Sequence, residues 1–315
     1  VSSGGKVRIT EAIKEGFKAT YRNWPLILIQ FVVQIILGLL FIVPVLFILF
    51  SLGFYAGLTK GEFSPELFQQ GLRAHPLLIV ICGLFFLIIW IGAILLGIFL
   101  KGGIKGIFRD ALIYKEKFAL RRFFRYGGYF FKRLFLLWLF FIVAIQILFL
   151  LLGGIFGPPI YLLVQKCHGM GMVFGVLLGI LGFLLFLLAL FALGLIFSYS
   201  GIVIVVEDSM LKRAVKRASS FIKRNLGPVL GLFFLLLLIS IGVMGVFISF
   251  GFLLKIPTSI PGLGTTGMVI LLLPLHLLFN LIQSGAQIYL GLFTIASTMV
   301  LYLNLSNKLK VASKN

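Results

Sequence analysis

The sequence predicts an all-α, polytopic integral membrane protein with six transmembrane helices, accompanied by basic amphipathic helices at the membrane interface. Three observations predict it. Of 315 residues, 61% are hydrophobic and 11% charged, with a mean hydropathy of +1.19; so few charges cannot clothe a soluble surface. The apolar residues also fall into long uncharged blocks at 26–59, 76–100, 134–165, 167–206, 225–254 and 256–307. Each block exceeds the roughly 20 residues that cross a hydrocarbon core about 30 Å thick. Finally, the 28 Lys and Arg residues gather in alternate connecting segments. The ten-residue alternating pattern of a membrane β-barrel is absent. Backbone groups in lipid are satisfied within each segment, so the spans are helices.

Residues 1–24 are polar and carry Lys6, Arg8, Lys14, Lys18 and Arg22. They lack the apolar core and small-residue cleavage site of a secretory signal, and a cytoplasmic amphipathic segment is expected. Its apolar positions, Ile9, Ala12, Ile13, Phe17, Tyr21 and Trp24, recur at helical spacing. The first span, near 26–54, opens at Pro25, a first-turn position where the missing N–H costs little. An outer loop with Glu62, Glu66 and His75 leads to a second span near 76–100, which carries Cys82.

A basic stretch over 101–133 precedes the third span, near 134–164, and a short outer loop then holds Cys167 and His168. Two cysteines do not make a disulfide framework, and both read as packing residues. The fourth span is expected near 172–206 and the fifth near 226–254. The last apolar block is too long for one perpendicular span. Pro257, Pro261 and Pro274 suggest an outer stretch that loops or lies on the surface, followed by a span near 280–303. The whole chain, 1–315, reads as a single membrane domain.

Orientation follows from the cations. Five lie before the first span, ten over 101–133, six over 212–224 and three in the tail, giving 24 on one side of a six-span arrangement. Lys60, Arg73, Lys166 and Lys255 are the four on the other. By the positive-inside rule the basic side is cytoplasmic, with both termini there and the cell membrane as the location.

The chain also looks internally repeated. With Ala12 set against Ala214, Ile13 meets Val215, Lys14 meets Lys216, Arg22 meets Arg224 and Asn23 meets Asn225, all without a gap. Trp24-Pro25 and Gly227-Pro228 then open an apolar span in each copy. A fainter third copy runs from Phe118 to Arg133.

Residues 209–224 form the basic segment with the clearest pattern. Leu211, Ala214, Val215, Ala218, Phe221 and Ile222 occupy one helical face; Lys212, Arg213, Lys216, Arg217, Lys223 and Arg224 occupy the other. Asp208 or Ser209 can cap the N-terminus, where acidic Glu207 and Asp208 suit the helix dipole. Such a helix is expected to lie in the interface with its apolar face in the acyl region. Two readings stand: the cations anchor and orient the chain, or they recognise anionic lipid headgroups. Each contributes at most about 1 kcal/mol near an anionic surface, so six together are significant. The +20 net charge is spread along membrane edges, which points away from nucleic acid.

Ionisable groups are nearly absent from the spans, which lowers the case for an ion-coupled carrier. The main polar feature is a stripe of His276, Asn280, Gln283 and Gln287, at steps that place all four on one helical face. It serves interhelical hydrogen bonding or lines a polar cavity or headgroup groove. Gln30 and Gln34 make a smaller pair. Gly102, Gly103 and Gly106, with Gly153, Gly154 and Gly157, permit close helix contact. Ser198-Tyr199-Ser200-Gly201 with His276 imitates the Ser–His dyad of rhomboid proteases, but the first glycine of that motif is missing. The two residues are also expected roughly 30 Å apart in depth, beyond the reach of a nucleophile and base. No metal-ligand spacing, Walker loop or dinucleotide fingerprint appears, so no cofactor is implied and no enzyme is expected.

Two runs carry a family resemblance. One is Val205-Val206-Glu207-Asp208, continued by Ala214-Val215-Lys216-Arg217-Ala218-Ser219 and Lys223-Arg224-Asn225. The other is Leu301-Tyr302-Leu303-Asn304-Leu305. Over roughly 200–310 they resemble the six-span membrane region of some glycerophosphodiester phosphodiesterases and related stand-alone membrane proteins of unknown function. The resemblance implies a polytopic helical domain and a connection with lipids or the cell envelope, and it carries no catalytic residue onto this chain. The expected function is a non-enzymatic membrane module that binds anionic lipid or a partner protein, in lipid handling or envelope assembly. The alternatives are a permease or lipid-flipping carrier and a structural subunit of a membrane complex; a homo-oligomer is compatible with each.

Overall fold

The computed structural model describes residues 4–49, 76–166, 169–255 and 265–306. In chain order the helices are α1 (Gly4–Arg22), α2 (Pro25–Leu49), α3 (Pro76–Ile113), α4 (Leu120–Lys166), α5 (Met170–Glu207), α6 (Leu211–Arg224), α7 (Leu226–Lys255) and α8 (Thr265–Leu305). Among the described residues there is no strand. Six of these helices contain stretches long and apolar enough to cross a membrane: Pro25–Leu46, Gly83–Ile113, Leu120–Gln165, Met170–Glu207, Leu226–Leu253 and Pro274–Leu305. The chain is an all-α, multi-pass membrane protein.

Several boundaries differ from the sequence expectation, for a common reason: the edge of the apolar block marks the edge of the lipid, not the end of the helix. α3 runs past residue 100 to Ile113, and α4 begins at Leu120 rather than near 134, so the basic stretch is mostly helix. The break between them is tight. Lys115 takes a left-handed φ of 54°, uncommon for a side chain other than glycine. The N–H groups of Tyr114 and Glu116 both bond to the Asp110 carbonyl, at 2.9 and 3.3 Å. At the other end α8 starts at Thr265, which places Pro274 inside a helix instead of in an outer loop; membrane helices tolerate such a break in their ladder. Pro257 and Pro261, like Glu62, Glu66, His75, Cys167 and His168, lie outside the described residues.

The chain divides into two compact units. One comprises Asn23–Lys101 and Met244–Leu292. In it Phe41 stacks on Phe86 at 6.4 Å, and Phe247 meets Phe279 at 5.8 Å. Leu28, Val32, Leu39 and Ile42 along α2 remain exposed, which costs nothing where the neighbours are lipid tails.

The other unit comprises Val1–Arg22, Gly102–Val243 and Phe293–Asn315. Its core is built from Ile104, Phe108, Phe123, Phe130, Leu137, Ile204, Leu232, Met299, Leu301 and Leu303, all essentially inaccessible. Glycines set the approach of α3 to α4: a Cβ at Gly103 would stand 2.7 Å from the Phe123 ring, and one at Gly106 2.6 Å from Tyr126. Gly153, Gly154 and Gly157 behave otherwise, with nothing within 4 Å of an added Cβ. The close glycines of the α4–α5 pair are on α5, where Gly175 meets Val164 and Gly182 meets Phe156.

α1 packs with a face of small residues. Ala12, Gly16, Ala19 and Thr20 are buried, and Gly16 lies directly against Ser297 of α8. Phe17 and Tyr21, on the rest of the apolar face, are exposed, and the Phe17 ring meets Phe293 of α8 edge-on at 6.4 Å. The repeat noted in the sequence has a local counterpart. α1 and α6 end on the equivalent residues Arg22 and Arg224, and Ala12 and Ala214 are both 0% exposed.

Candidate functional site

The six cations of 212–224 sit on α6, whose placement is set by the four residues before it. α5 ends at Glu207, and Asp208 turns the chain in the left-handed region at φ 49°. The cap of α6 is Met210, with no side-chain capping bond. This corrects the expectation that Asp208 or Ser209 caps the helix, and the reason is competition. The Asp208 carboxylate accepts from the Tyr129 hydroxyl at 2.9 Å and pairs with Arg133, while the Ser209 hydroxyl reaches the Val203 carbonyl at 3.4 Å. Partial burial works against the Asp208 charge. The hydrogen bonds from Tyr129 and Arg133 and the positive charges of Arg133 and Arg109 outweigh it, so its carboxyl titrates below the usual carboxylate range.

α6 packs on α5 and α4. Ala214, Ala218 and Ile222 are buried, so this part of its apolar face meets protein and not the acyl region. Phe221 stands between two tyrosines, 5.2 Å from Tyr199 of α5 and 4.9 Å from Tyr302 of α8. Glu207 completes the join. Its side chain is 8% exposed and pairs with Arg217, and it accepts the Tyr302 hydroxyl at 2.5 Å.

These contacts leave a cleft of ≈ 490 Å³ beside α6. Arg213, Lys216, Arg217 and Arg224 line it, with Ser220, Asn225 and Ser306 between them. Among the described residues Glu207 is the one acidic residue on its wall, and Arg217 already neutralises it. The cleft is therefore a concave surface with surplus positive charge and several hydroxyl and amide donors, suited chemically to a phosphate-bearing group. Lys212 and Lys223 are exposed but do not line it.

A second charged cluster escaped the sequence reading. Asp110 of α3, 4% exposed, accepts from Arg109 at 3.1 and 3.2 Å and from the Tyr126 hydroxyl at 2.5 Å. Arg122 approaches at 3.6 Å. The Arg109 guanidinium lies 4.9 Å from the centre of the Tyr126 ring and donates to the Val205 carbonyl at 3.2 Å. A buried carboxylate with this many donors is a joint between α3, α4 and α5, and removing any partner exposes the desolvation cost of the rest. The adjacent Arg109-Asp110 pair was visible in the sequence; the tyrosine sixteen residues on was not an evident partner.

The polar stripe falls in the other compact unit. His276, Asn280, Gln283 and Gln287 are all on α8, with His276 and Gln283 partly buried and the other two exposed. The Gln287 amide makes a weak contact to the Met244 thioether at 3.7 Å. Ser198 returns its hydroxyl to the Gly194 carbonyl at 2.9 Å. The Ser200 hydroxyl is fully buried and meets no hydrogen-bond partner among the described residues. Nor does any group of three His, Cys, Asp or Glu side chains assemble among them. No family model matches the chain, and neither the curated proteins nor the solved structures contain a match to it.

Proposed function

We propose that the chain is a non-enzymatic membrane module that binds the headgroup of an anionic lipid in the cleft beside α6, on the cytoplasmic side. The supporting observation is the convergence of Arg213, Lys216 and Arg224 on one concavity, while Glu207 and Arg217 compensate each other. The positive-inside distribution puts this rim against the cytoplasmic leaflet, where anionic lipids attract cations. The resemblance of 200–310 to the membrane region of glycerophosphodiester phosphodiesterases accords with a role in lipid handling.

Native mass spectrometry of the protein released from nanodiscs of phosphatidylglycerol and phosphatidylcholine tests the reading. Neutralising Arg213, Lys216 and Arg224 to Gln removes up to about 1 kcal/mol each. Selective retention of phosphatidylglycerol then falls by as much as about 100-fold. Neutralising Lys212 and Lys223, outside the cleft, leaves retention largely intact. Equal loss in both variants means diffuse anchoring and sinks the specific site. A stoichiometric protein partner with no selective lipid makes the chain a complex subunit. Lipid flux in liposomes makes it a carrier.

A further inference from the structure

Beneath the basic rim, α5, α7 and α8 line a second, partly open cavity of ≈ 390 Å³. Phe191 and Leu195 of α5, Leu232 and Leu236 of α7 and the Thr298 region of α8 form its walls. Five hydroxyl-bearing residues line it, Ser198, Tyr199, Ser240, Thr294 and Thr298, and three of them bond back to their own helix: Ser198 to Gly194 at 2.9 Å, Ser240 to Leu236 at 2.8 Å and Thr298 to Thr294 at 2.7 Å. The cavity therefore presents a mostly apolar lining, in which the Ser198, Ser240 and Thr298 hydroxyls are engaged on their own helices.

Its depth is fixed by helix rise. Val229 lies about 6 Å along α7 from the α6–α7 break, and Ser240 about 22 Å. Phe191 is roughly 24 Å from the end of α5. Thr298 is roughly 10 Å from the end of α8 by the same rise. The cavity thus runs through the leaflet under the cleft, one leaflet being about 15 Å of hydrocarbon. The two spaces share a partition: Tyr199 lines the cavity, Phe221 and Tyr302 line the cleft, and Phe221 contacts both tyrosines.

We propose that the cavity is an acyl-chain slot, holding one tail of the anionic lipid whose headgroup sits in the basic cleft. The inference rests on the headgroup reading above and narrows its ligand to a long-chain anionic lipid, as opposed to a soluble phosphate compound. Cationic residues above and a partly open, mostly apolar recess below match the two halves of such a molecule. Free lipid tails surround the spans, so the occupant is always at hand.

The test uses the full chain in nanodiscs with phosphatidylglycerol carrying a diazirine in one acyl chain, and phosphatidylcholine labelled in the same way. After irradiation, adducts from phosphatidylglycerol are expected on the lining residues Leu195, Leu232, Leu236, Ser240 and Thr298, and excess unlabelled phosphatidylglycerol removes them. Leu236→Trp, which fills the slot, lowers them at least fivefold; Leu238→Trp, at an exposed position, does not. Adducts spread evenly over the exposed Phe234, Leu238 and Ile241, or insensitive to competitor in the parent protein, overturn the slot even if Leu236→Trp fails to fold. Competable slot labelling that phosphatidylcholine matches in full keeps a tail slot but removes its tie to an anionic headgroup, which identifies the headgroup reading as the one that failed.

Discussion

Tyr302, near the end of α8, donates its hydroxyl to Glu207, the last residue of α5, at 2.5 Å. The two residues are 95 apart in the chain, and Arg217 of α6 holds the same carboxylate. One side chain thus ties three helices together at the basic rim, and it does so with most of its surface out of water. Replacing Tyr302 by Phe keeps the ring against Phe221 and removes only the donor. A hydrogen bond to a charged group contributes about 2 kcal/mol. A lower Tm of the detergent-solubilised variant is expected, and an unchanged Tm would show that the bond does not hold the rim.

The glycines make a paired prediction. A methyl group at Gly106 enters the Tyr126 ring at 2.6 Å, and overpacking of this kind destabilises by about 1–3 kcal/mol. Gly154 has nothing within 4 Å of an added Cβ, and alanine there removes a conformational cost of up to about 1 kcal/mol. Thermal unfolding of Gly106→Ala and Gly154→Ala should therefore move Tm in opposite directions, downward for the first. Equal shifts would contradict the close approach of α3 to α4.

Asp208 gives the rim a pH dependence. Its carboxyl titrates below the ordinary value of 3.8 in the folded protein, where Tyr129 and Arg133 favour the ionised form against the opposing effect of burial. A carboxyl whose folded-state value is lowered adds stability that is complete above its unfolded value. That stability disappears as pH falls through the folded value. Asp208→Asn is expected to be less stable than the parent at pH 7, with the gap closing as pH is lowered below about 4. Chemical unfolding at the two pH values measures it; a gap that persists in acid would assign the effect to packing instead of charge.

Much of the fold was legible in the amino-acid order, for identifiable reasons. A span in lipid has to be apolar along its whole length and satisfy its own backbone, so Pro25, Leu226 and the long blocks behind them announced helices directly. Helix ends outside the lipid were less legible. Nothing in composition separates Lys101–Arg133 as a loop from the same residues as two helical extensions and a six-residue break, because Lys and Arg are accepted in either state. The cap of α6 misled for a related reason: Asp208 is a good capping residue, and a tyrosine and an arginine on another helix took its carboxylate first.

The sequence by itself determined the class of the protein, the number of apolar spans, the clustering of cation at one set of span ends and the helical face on which Arg213, Lys216 and Arg224 lie. These are one-dimensional properties, set by hydropathy and by a 3.6-residue period. Only the tertiary structure decided that Ala214 and Ala218 face protein, that Arg217 is paired with Glu207 while Arg213 and Arg224 line an open cleft, and that Tyr302 closes the rim. It also decided that Tyr199 stands between that cleft and an apolar cavity. Each depends on which residues from distant segments meet, and burial of small side chains, glycine approach and competition for a few carboxylates select those meetings without leaving a local pattern in the chain.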